Sequence, residues 1–311
     1  MRFDELDLEE AVLDGLDAMN FQDTTPVQEL TIPVILEGKD IIACAQTGTG
    51  KTAAYVLPLI NQLSKGNHPD NAVNAVIMAP TRELAQQIDQ QIEGFTYFVP
   101  VSAVAVYGGT DGVAWEQQKR GMEMGADIVI ATPGRLLSHL KLGTVDLSQV
   151  SYFVLDEADR MLDMGFLPDV KRIIAKLPRK KQTLFFSATM PSEIRKLAQS
   201  LLHEPVSIEV TPASTTVEKI DQSLYYVDKA NKKRLLLKLL QKNRVQNALV
   251  FTRTKSNANR LAKYLNENGV TSGVIHGNKS QNARQQALLQ FKEGKSRVLV
   301  ATDIAARGID V

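Results

Sequence analysis

Two hydrophobic patterns alternate along the chain: short β-branched runs and longer segments with helical periodicity. The short runs predict strands at residues 40–44, 75–79, 102–107, 128–131, 152–155, 183–187, 224–227, 248–252, 273–276 and 298–301. Helix-length stretches separate most of these runs, for example at residues 83–94, 195–202, 256–268 and 281–291. Strands that are apolar on both faces and alternate with helices are typical of a parallel sheet covered on both sides. The pattern therefore predicts an α/β fold.

The two halves of the chain present similar features in the same order. Thr81 and Arg82 lie between an apolar run and a helical segment, and Thr252 and Arg253 do the same in the second half. Thr132 is matched by Thr302 at nearly equal spacing. This order indicates one fold used twice, with coincidence among generic strand ends as the alternative. We predict a first domain at residues 1–207, a linker at 208–218 and a second domain at 219–311, because residues 211–216 (TPASTT) are small, polar and contain proline.

Composition narrows the class of protein. A chain of 311 residues with 44% hydrophobic and 23% charged residues is expected to form about two globular domains. The apolar runs are too short for a membrane span, and the acidic N-terminus lacks the apolar core of a secretory signal. The single cysteine, Cys44, fits a reducing cytoplasm, and the four dispersed histidines argue against a zinc site. A net charge of +1 argues against a histone-like basic protein but permits a few placed phosphate-binding groups.

A glycine-rich segment, AQTGTGKT, follows the predicted strand at 40–44 and opens a helix. It matches the phosphate-binding pattern G-x-x-x-x-G-K-[ST], except that Ala45 replaces the first glycine. The glycines allow backbone N–H groups to surround phosphates, the lysine reaches the β and γ phosphates, and the threonine hydroxyl can hold Mg²⁺. We therefore predict a site for the phosphates of a nucleotide, a functionless turn being the alternative, that includes Ala45, Gln46, Thr47, Gly48, Thr49, Gly50, Lys51 and Thr52.

Three carboxylates, in the segment VLDEADRM (154–161), follow another apolar strand. Charges beside a buried strand need a balancing cation or proton, as a magnesium nucleotide site provides. Asp156 would hold Mg²⁺ through its water shell, and Glu157 would orient and deprotonate the attacking water. With Lys51 they form the predicted catalytic set, and Thr52 and Asp156 form the predicted metal set. A solvated acidic loop is the alternative.

These motifs, together with SAT at 187–189, resemble the DEAD-box ATP-dependent RNA helicases of bacterial type, over the whole chain. The resemblance implies two tandem RecA-like domains. It also implies that FQDTTPVQ (21–28) reads adenine, with Phe21 stacking on the base, Gln28 bonding its edge and Phe3 as an additional aromatic. Thr24 replaces a usual proline and Asp23 a frequent basic residue, departures that are expected to loosen nucleotide binding slightly.

The resemblance also implies RNA contacts and a coupling element. On the first domain the RNA contacts would be Pro80, Thr81, Arg82, Gly108, Gly109, Thr132, Gly134 and Arg135. On the second they would be Thr252, Arg253, Gly277, Gln281, Arg284 and Thr302. Such groups recognise the sugar-phosphate backbone rather than base edges, so we expect sequence-independent RNA binding. Ser187 and Thr189 would bond Asp159 and couple the nucleotide state to domain closure. The alternative for these motifs is a purely structural role as helix caps and turns.

The end of the chain carries further expectations. Gly308 and Asp310 would meet the ribose of ATP when the second domain closes, but the family's H-R-x-G-R-x-x-R element does not follow Asp310. We therefore expect an incomplete second domain that lacks about 60–75 residues, including strands that would cover the flank of 298–301. The 311-residue chain is then expected to bind ATP but to hydrolyse it poorly, since arginine fingers contribute about 10³–10⁵ in rate.

Two other functions stay open. A DNA translocase of the same superfamily is disfavoured by D-E-A-D and by the Phe21/Gln28 element. A non-catalytic nucleic-acid clamp is disfavoured by the presence of Lys51, Glu157 and Ser187. We expect a monomeric cytoplasmic core without membrane contact; the physiological RNA and the protein partners do not follow from the sequence.

Overall fold

The computed structural model describes residues 1–109, 112–210, 221, 223–242 and 245–302, apart from the side chains of residues 242, 281 and 282. The chain divides into two compact units, Met1–Thr215 and Thr216–Val311.

Unit 1 is built on a seven-stranded sheet whose paired strands are all parallel. Its strands are β1 (Ile41–Cys44), β2 (Ala75–Met78), β3 (Ala103–Val106), β4 (Ile128–Ala131), β5 (Tyr152–Leu155), β6 (Gln182–Ser187) and β7 (Val206–Glu209). Their order across the sheet is β3-β4-β2-β5-β6-β1-β7. Six of these seven strands were predicted; β7 was missed because its residues are only partly buried and its pattern is mixed.

The helices of unit 1 cover both faces of this sheet. They are α1 (Glu10–Ala18), α2 (Pro26–Leu36), α3 (Lys51–Ser64), α4 (Arg82–Phe95), α5 (Gly112–Glu123), α6 (Pro133–Leu142), α7 (Ala158–Asp163), α8 (Leu167–Ile174) and α9 (Ser192–Leu201). Because side chains alternate along a strand, Phe186 points to one core and Phe185 to the other. The buried runs of the sequence are therefore explained by a sheet with two covered faces, and the predicted α/β class is confirmed.

The segments predicted to bind nucleotide and RNA lie at one edge of this sheet. In a parallel sheet all strands end at the same edge, and each connecting helix returns the chain to the opposite edge. The phosphate-binding loop follows β1, the acidic segment follows β5, and the segment SAT overlaps the end of β6. The predicted RNA-contacting segments follow β2, β3 and β4, so the sheet order places them together in the other half of this edge.

Unit 2 has a three-stranded parallel sheet. Its strands are β8 (Ala248–Thr252), β9 (Ser272–Ile275) and β10 (Val298–Thr302), and its helices are α10 (Lys232–Lys242), α11 (Lys255–Glu267) and α12 (Gln281–Lys292). The strand order β8-β10-β9 repeats the order β2-β4-β3 of unit 1. The pairing register also repeats, because Ala75, Ile128 and Ala103 lie side by side in unit 1 as Ala248, Val298 and Ser272 do in unit 2. The predicted internal repeat is therefore present in the topology.

One detail of the proposed repeat was wrong. Thr81 caps α4 and accepts a hydrogen bond from the Leu84 N–H at 3.2 Å, whereas the equivalent cap of α11 is Thr254, which accepts from Asn257 N–H at 3.2 Å. Thr252 is instead the last residue of β8. Thr81 had been matched to Thr252 in the comparison of the two halves of the chain because each precedes an arginine.

Three further expectations need correction. Residues 224–227 form no strand, and Tyr226 is 92% exposed. The prediction that absent strands would cover the flank of 298–301 is wrong, because β10 is the central strand and is paired on both sides. The predicted linker starts too early, since β7 continues to Glu209; residues 211–218 lie outside the described residues.

Within the described ranges, every helix is too short or too polar to cross a membrane.

Candidate functional site

The loop between β1 and α3 has the backbone geometry that phosphate binding requires. Gly48 and Gly50 have φ angles of 83° and 89°, in the left-handed region that favours glycine. Lys51, the first residue of α3, is 6% exposed, and its Nζ donates to the Ala45 carbonyl at 2.9 Å. The loop thus leads into a helix N-terminus with an ammonium group held beneath it, which favours an anionic ligand.

Gln28 connects the predicted adenine-reading segment to this loop. It is 2% exposed, its Oε1 accepts from Thr25 N–H at 2.8 Å, and its Nε2 donates to the Gly50 carbonyl at 3.0 Å. The first bond belongs to a capping box that starts α2. Each end of the amide makes one bond inside the protein, which leaves a second N–H on Nε2 and a second lone pair on Oε1, and a bond to adenine remains a prediction.

Phe21 and Phe3 have different positions. Phe21 is partly exposed and packs edge-to-face on Phe95, with ring centroids 5.3 Å apart. Phe3 is 2% exposed and lies 6.4 Å from Phe21, also edge-to-face. The expectation that Phe3 contacts the nucleotide therefore needs correction: its ring is buried in the core and supports Phe21 from within.

The unusual Thr24 pairs this segment with the N-terminus. Its backbone N–H and its hydroxyl lie 3.0 and 2.7 Å from the Met1 carbonyl, and its hydroxyl is 3.0 Å from the Glu29 carboxylate. The next residues continue the pairing through an antiparallel bridge between Arg2 and Asp23. Proline has no N–H to donate, so this departure from the family pattern adds a contact that ties down the segment.

The acidic residues after β5 lie directly beside the phosphate-binding loop. Asp156 is 2% exposed, and its Oδ2 accepts from the Tyr55 hydroxyl at 2.9 Å. Its Oδ1 is buried without a hydrogen-bond partner among the described residues. Glu157 accepts from Thr47 Oγ1 at 3.2 Å and from Arg160 Nη1 at 2.8 Å. The loop and the acids, which are distant in sequence, therefore form one site.

Electrostatics and backbone strain both mark this site. Burial raises the pKa of Asp156, an effect that Lys51 opposes. Burial and the neighbouring Asp156 raise the pKa of Glu157. Glu157 also has φ of 52°, a strained conformation for a residue with a side chain. Perturbed carboxyls on a strained turn are typical of functional sites.

The third acid joins the segment after β6. Thr189 donates to Asp159 Oδ2 through its hydroxyl at 2.8 Å and its N–H at 2.9 Å. Ser187 Oγ accepts from Asp159 N–H at 3.2 Å and donates to the Thr189 carbonyl at 2.7 Å. The expected contacts are therefore present, while the coupling role that the resemblance implies remains a prediction.

The other half of the edge contains Arg82, whose guanidinium is held against glycine backbone. Its Nη1 lies 3.4 and 3.3 Å from the carbonyls of Gly108 and Gly109. At Gly109, where φ is 79°, an added Cβ would come within 3.1 Å of that nitrogen. Pro80 and Thr81 lie between β2 and α4, directly before Arg82. The bonds from Arg82 to Gly108 and Gly109 therefore bring the predicted segments after β2 and β3 into direct contact.

Arg135 lies in the first turn of α6, after Thr132 and Gly134, and its partners among the described residues include Tyr107, Gln118 and Trp115. Its Nε donates to the Tyr107 carbonyl at 3.0 Å and to Gln118 Oε1 at 3.1 Å. Its guanidinium carbon lies 4.5 Å from the centre of the Trp115 ring. The segments after β3 and β4 therefore meet at this arginine.

Unit 2 places the corresponding residues at the carboxyl edge of its own sheet. Thr252 and Thr302 end β8 and β10, Arg253 follows β8, and Gly277 follows β9. Gln281 starts α12, and Arg284 lies in its first turn; the Gln281 side chain is outside the described set. Gly308 and Asp310 also lie outside the described residues.

The described residues contain no group of three or more His, Cys, Asp or Glu side chains able to hold a metal ion by themselves. A cation at Asp156 would therefore need oxygen ligands from another source, such as phosphate and water.

Each of the two units matches a known protein family. Residues 25–197 match the DEAD/DEAH box helicase family, and residues 231–311 match the helicase conserved C-terminal domain. The chain belongs to the DEAD/DEAH box helicase family. Its two units are accordingly parallel-sheet α/β domains of the RecA-like kind, as expected.

Several relatives of this DEAD-box chain are named helicases. It is 43% identical to the ATP-dependent RNA helicase CshA of Listeria monocytogenes over 310 residues, 100% of this chain and 58% of the relative. It is 40% identical to the ATP-dependent RNA helicase DeaD of Escherichia coli over 99% of this chain and 48% of the relative. The chain thus spans about half to three-fifths of these two relatives.

Solved structures agree with the family. A DEAD box protein from the hyperthermophile Methanococcus jannaschii is 37% identical, with a TM-score of 0.63 over 100% of this chain and 82% of that one. Saccharomyces cerevisiae Dbp5 bound to RNA and ADP BeF3 is 30% identical, with a TM-score of 0.85 over 100% of this chain and 78% of that one.

The sequence analysis did not single out three residues that support this edge of the sheet, namely Tyr55, Trp115 and Gln118. A signal exists only for Trp115, a single tryptophan in an otherwise polar helix near the end of β3.

Proposed function

We propose that this chain is the core of an ATP-dependent RNA helicase, which couples ATP binding and hydrolysis to local RNA unwinding or to remodelling of RNA–protein complexes. The observation that carries the proposal is that two different sets of loops occupy the two halves of one edge of the unit 1 sheet. The loops after β1, β5 and β6 form a phosphate-binding and acidic site, and the loops after β2, β3 and β4 form an arginine-bearing surface beside it.

ATP is the substrate that suits the first half of this edge. The Gly48–Gly50 turn and the start of α3 offer backbone N–H groups to the phosphates, and Lys51 supplies a positive charge. Phe21 offers a partly exposed ring for the base. Glu157, held by Thr47 and Arg160, is placed to orient water and accept its proton.

Mg²⁺ fits this site. Asp156 has one oxygen anchored by Tyr55 and one buried oxygen without a partner among the described residues, which is the arrangement expected of a carboxylate that receives a cation or its water shell. Thr52 is the second residue of α3, three positions before the Tyr55 that anchors Asp156, and Asp156 and Thr52 would hold the ion. When bound, it would neutralise charge on the β and γ phosphates.

RNA is the ligand that suits the second half of this sheet edge, formed by the loops after β2, β3 and β4. Arg82 and Arg135 are fixed through bonds to main-chain carbonyls, and the hydroxyl and glycine residues near them recognise backbone rather than bases. Relatives named ATP-dependent RNA helicases, and the Dbp5 structure bound to RNA and ADP BeF3, support this choice. We further propose a cytoplasmic location, supported by the single cysteine.

The proposal is tested by measuring the anisotropy of a labelled single-stranded RNA, and of DNA of the same sequence, with and without a non-hydrolysable ATP analogue and Mg²⁺. We expect RNA to bind more tightly than DNA, and the analogue to strengthen RNA binding, since coupling of the two ligands is reciprocal. Lys51→Ala should abolish the effect of the analogue but leave RNA binding in its absence unchanged.

Two outcomes would contradict the proposal. Equal or tighter binding of DNA would favour the translocase. RNA binding that ignores the analogue in the unsubstituted chain, even when the analogue is saturating, would favour a non-catalytic clamp.

A further inference from the structure

The only tryptophan of the chain takes part in a stack at the proposed RNA-binding edge. Trp115, in α5, lies parallel to the His139 ring, with centroids 3.9 Å apart and planes 8° from parallel. The Arg135 guanidinium lies over the Trp115 ring at 4.5 Å. Arg135 and His139 are separated by one turn of α6, so a single indole from α5 contacts two neighbouring positions on that helix.

The stack fixes the plane of the guanidinium, and hydrogen bonds fix its rotation within that plane. Arg135 Nε donates to both the Tyr107 carbonyl and Gln118 Oε1, which lie in different segments. Gln118 is itself buried, and its Nε2 donates to the same carbonyl at 3.2 Å. An arginine constrained in this way loses less side-chain entropy when it binds a phosphate than a free one does.

His139 completes the stack as a neutral ring. It is 0% exposed, and its Nδ1 lies 2.8 Å from Thr144 Oγ1. Burial and the positive charge of Arg135 lower the pKa of His139 to about 4. At neutral pH the indole therefore faces one cation, not two, and the cation–π attraction to Arg135 is not opposed by a second positive charge.

We propose that Trp115 is a positioning residue that holds the Arg135 guanidinium ready for a backbone phosphate of the nucleic acid. This inference rests on the proposed function. A similar but weaker arrangement surrounds Arg82, whose guanidinium carbon lies 5.7 Å from the Tyr107 ring. Both arginines of this edge are therefore supported by an aromatic side chain.

Trp115 emission provides a test that needs no substitution. Because the chain has no other tryptophan, its fluorescence reports on this stack alone. RNA titrated into the full chain should change the emission with the same midpoint as the anisotropy of labelled RNA. The emission change should be lost in Arg135→Gln at RNA concentrations that saturate the variant.

Substitutions then separate positioning from folding. Trp115→Leu should weaken RNA binding by about 3- to 30-fold, the effect of a partly desolvated cation–π contact, whereas Trp115→Phe should stay within about 3-fold of the unsubstituted chain. Tyr97→Leu is the matched control, since Tyr97 is 79% exposed and follows α4 at the opposite edge of the sheet.

The salt dependence of RNA affinity gives a readout that a purely structural role would not change. If Trp115 acts through Arg135, the slope of log K against log salt should fall by about 0.7 in Trp115→Leu, as it does for one lost phosphate contact on a single strand. Arg135→Gln should show the same reduction, and the double variant should bind no more weakly than Arg135→Gln alone.

The outcomes distinguish the two proposals. An unsubstituted chain that fails to bind RNA would overturn both. RNA binding with silent Trp115 emission, with unchanged affinity in Trp115→Leu, or with additive losses and an unchanged slope, would overturn only the role of Trp115. If Trp115→Leu does not fold, the emission titration and the comparison of Trp115→Phe with Arg135→Gln still decide the question.

Discussion

The bond from Tyr55 to Asp156 allows a sharp test of how the nucleotide site is built. Tyr55 is fully buried in α3 and packs on Phe186 with ring centroids 5.1 Å apart. Its hydroxyl is 2.9 Å from Asp156 Oδ2, and the other carboxylate oxygen has no partner among the described residues. Tyr55→Phe keeps the ring and removes only the donor, so the anchor of Asp156 is lost without a large cavity.

The expected magnitude follows from the burial of the carboxylate. Burial raises the pKa of Asp156, while the charge of Lys51 and the bond from Tyr55 lower it, so removing the bond favours protonation further. A hydrogen bond to a charged group is worth about 1.5–3 kcal/mol, and we expect the free energy of unfolding to fall by about that amount. Because a neutral or rotated carboxyl holds Mg²⁺ poorly, the Mg²⁺-dependent part of ADP affinity should fall about 10-fold, equal to about 1.4 kcal/mol.

The assay is calorimetric titration of ADP with Mg²⁺ and with EDTA, together with urea unfolding. Tyr55→Phe should change ADP affinity only when Mg²⁺ is present. The matched control is Tyr152→Phe, because Tyr152 starts β5 at the far end of the strand that leads to Asp156. Equal losses with Mg²⁺ and with EDTA, or no change in either affinity or stability, would refute the proposed anchoring.

Three other substitutions test the local geometry. Gly50→Ala should weaken ADP binding at least about 10-fold, because the φ of Gly50 is 89° and the new Cβ would lie 2.6 Å from Gln28 Nε2. Gly38→Ala is the control, because Gly38 has a φ of 77° but open space around it. This control should introduce the backbone strain alone and leave ADP affinity unchanged. His139 has a folded pKa of about 4, below its ordinary 6.5, so stability should be lost as pH falls from 6.5 towards 4, by about 2 kcal/mol at pH 5. Urea unfolding followed by tryptophan emission should show a smaller loss in His139→Gln. Thr24→Pro should lower the melting temperature by removing two bonds to the N-terminal segment, whereas Thr24→Ser should retain it.

The sequence was most informative where local chemistry decides the structure. The turn around Gly48 and Gly50, the carboxylates after β5 and the Thr81 cap are all specified by a few adjacent residues. Because parallel strands end at one edge, those local features could be combined into one site before any contact was known. The internal repeat was also predicted from the order of local motifs, although the strand order of each sheet was not.

The remaining features depend on contacts between distant residues. The Tyr55 hydroxyl meets Asp156 across 101 positions, and an aromatic in an apolar helix carries no sign of such a bond. Trp115 meets Arg135 only because β3 and β4, the strands that precede α5 and α6, are neighbours in the sheet. The central position of β10 and the partly buried β7 also result from strand pairing, which hydrophobic pattern alone does not determine.

Photo-crosslinking tests the central claim most directly. RNA that contains 4-thiouridine is bound to the chain with Mg²⁺ and a non-hydrolysable ATP analogue, irradiated, and its peptide adducts are located by mass spectrometry. In unit 1, we expect adducts at residues 80–82, 107–109 and 132–135, at the carboxyl edge of the sheet. Adducts concentrated instead at residues 97–101, on the opposite edge, would contradict it.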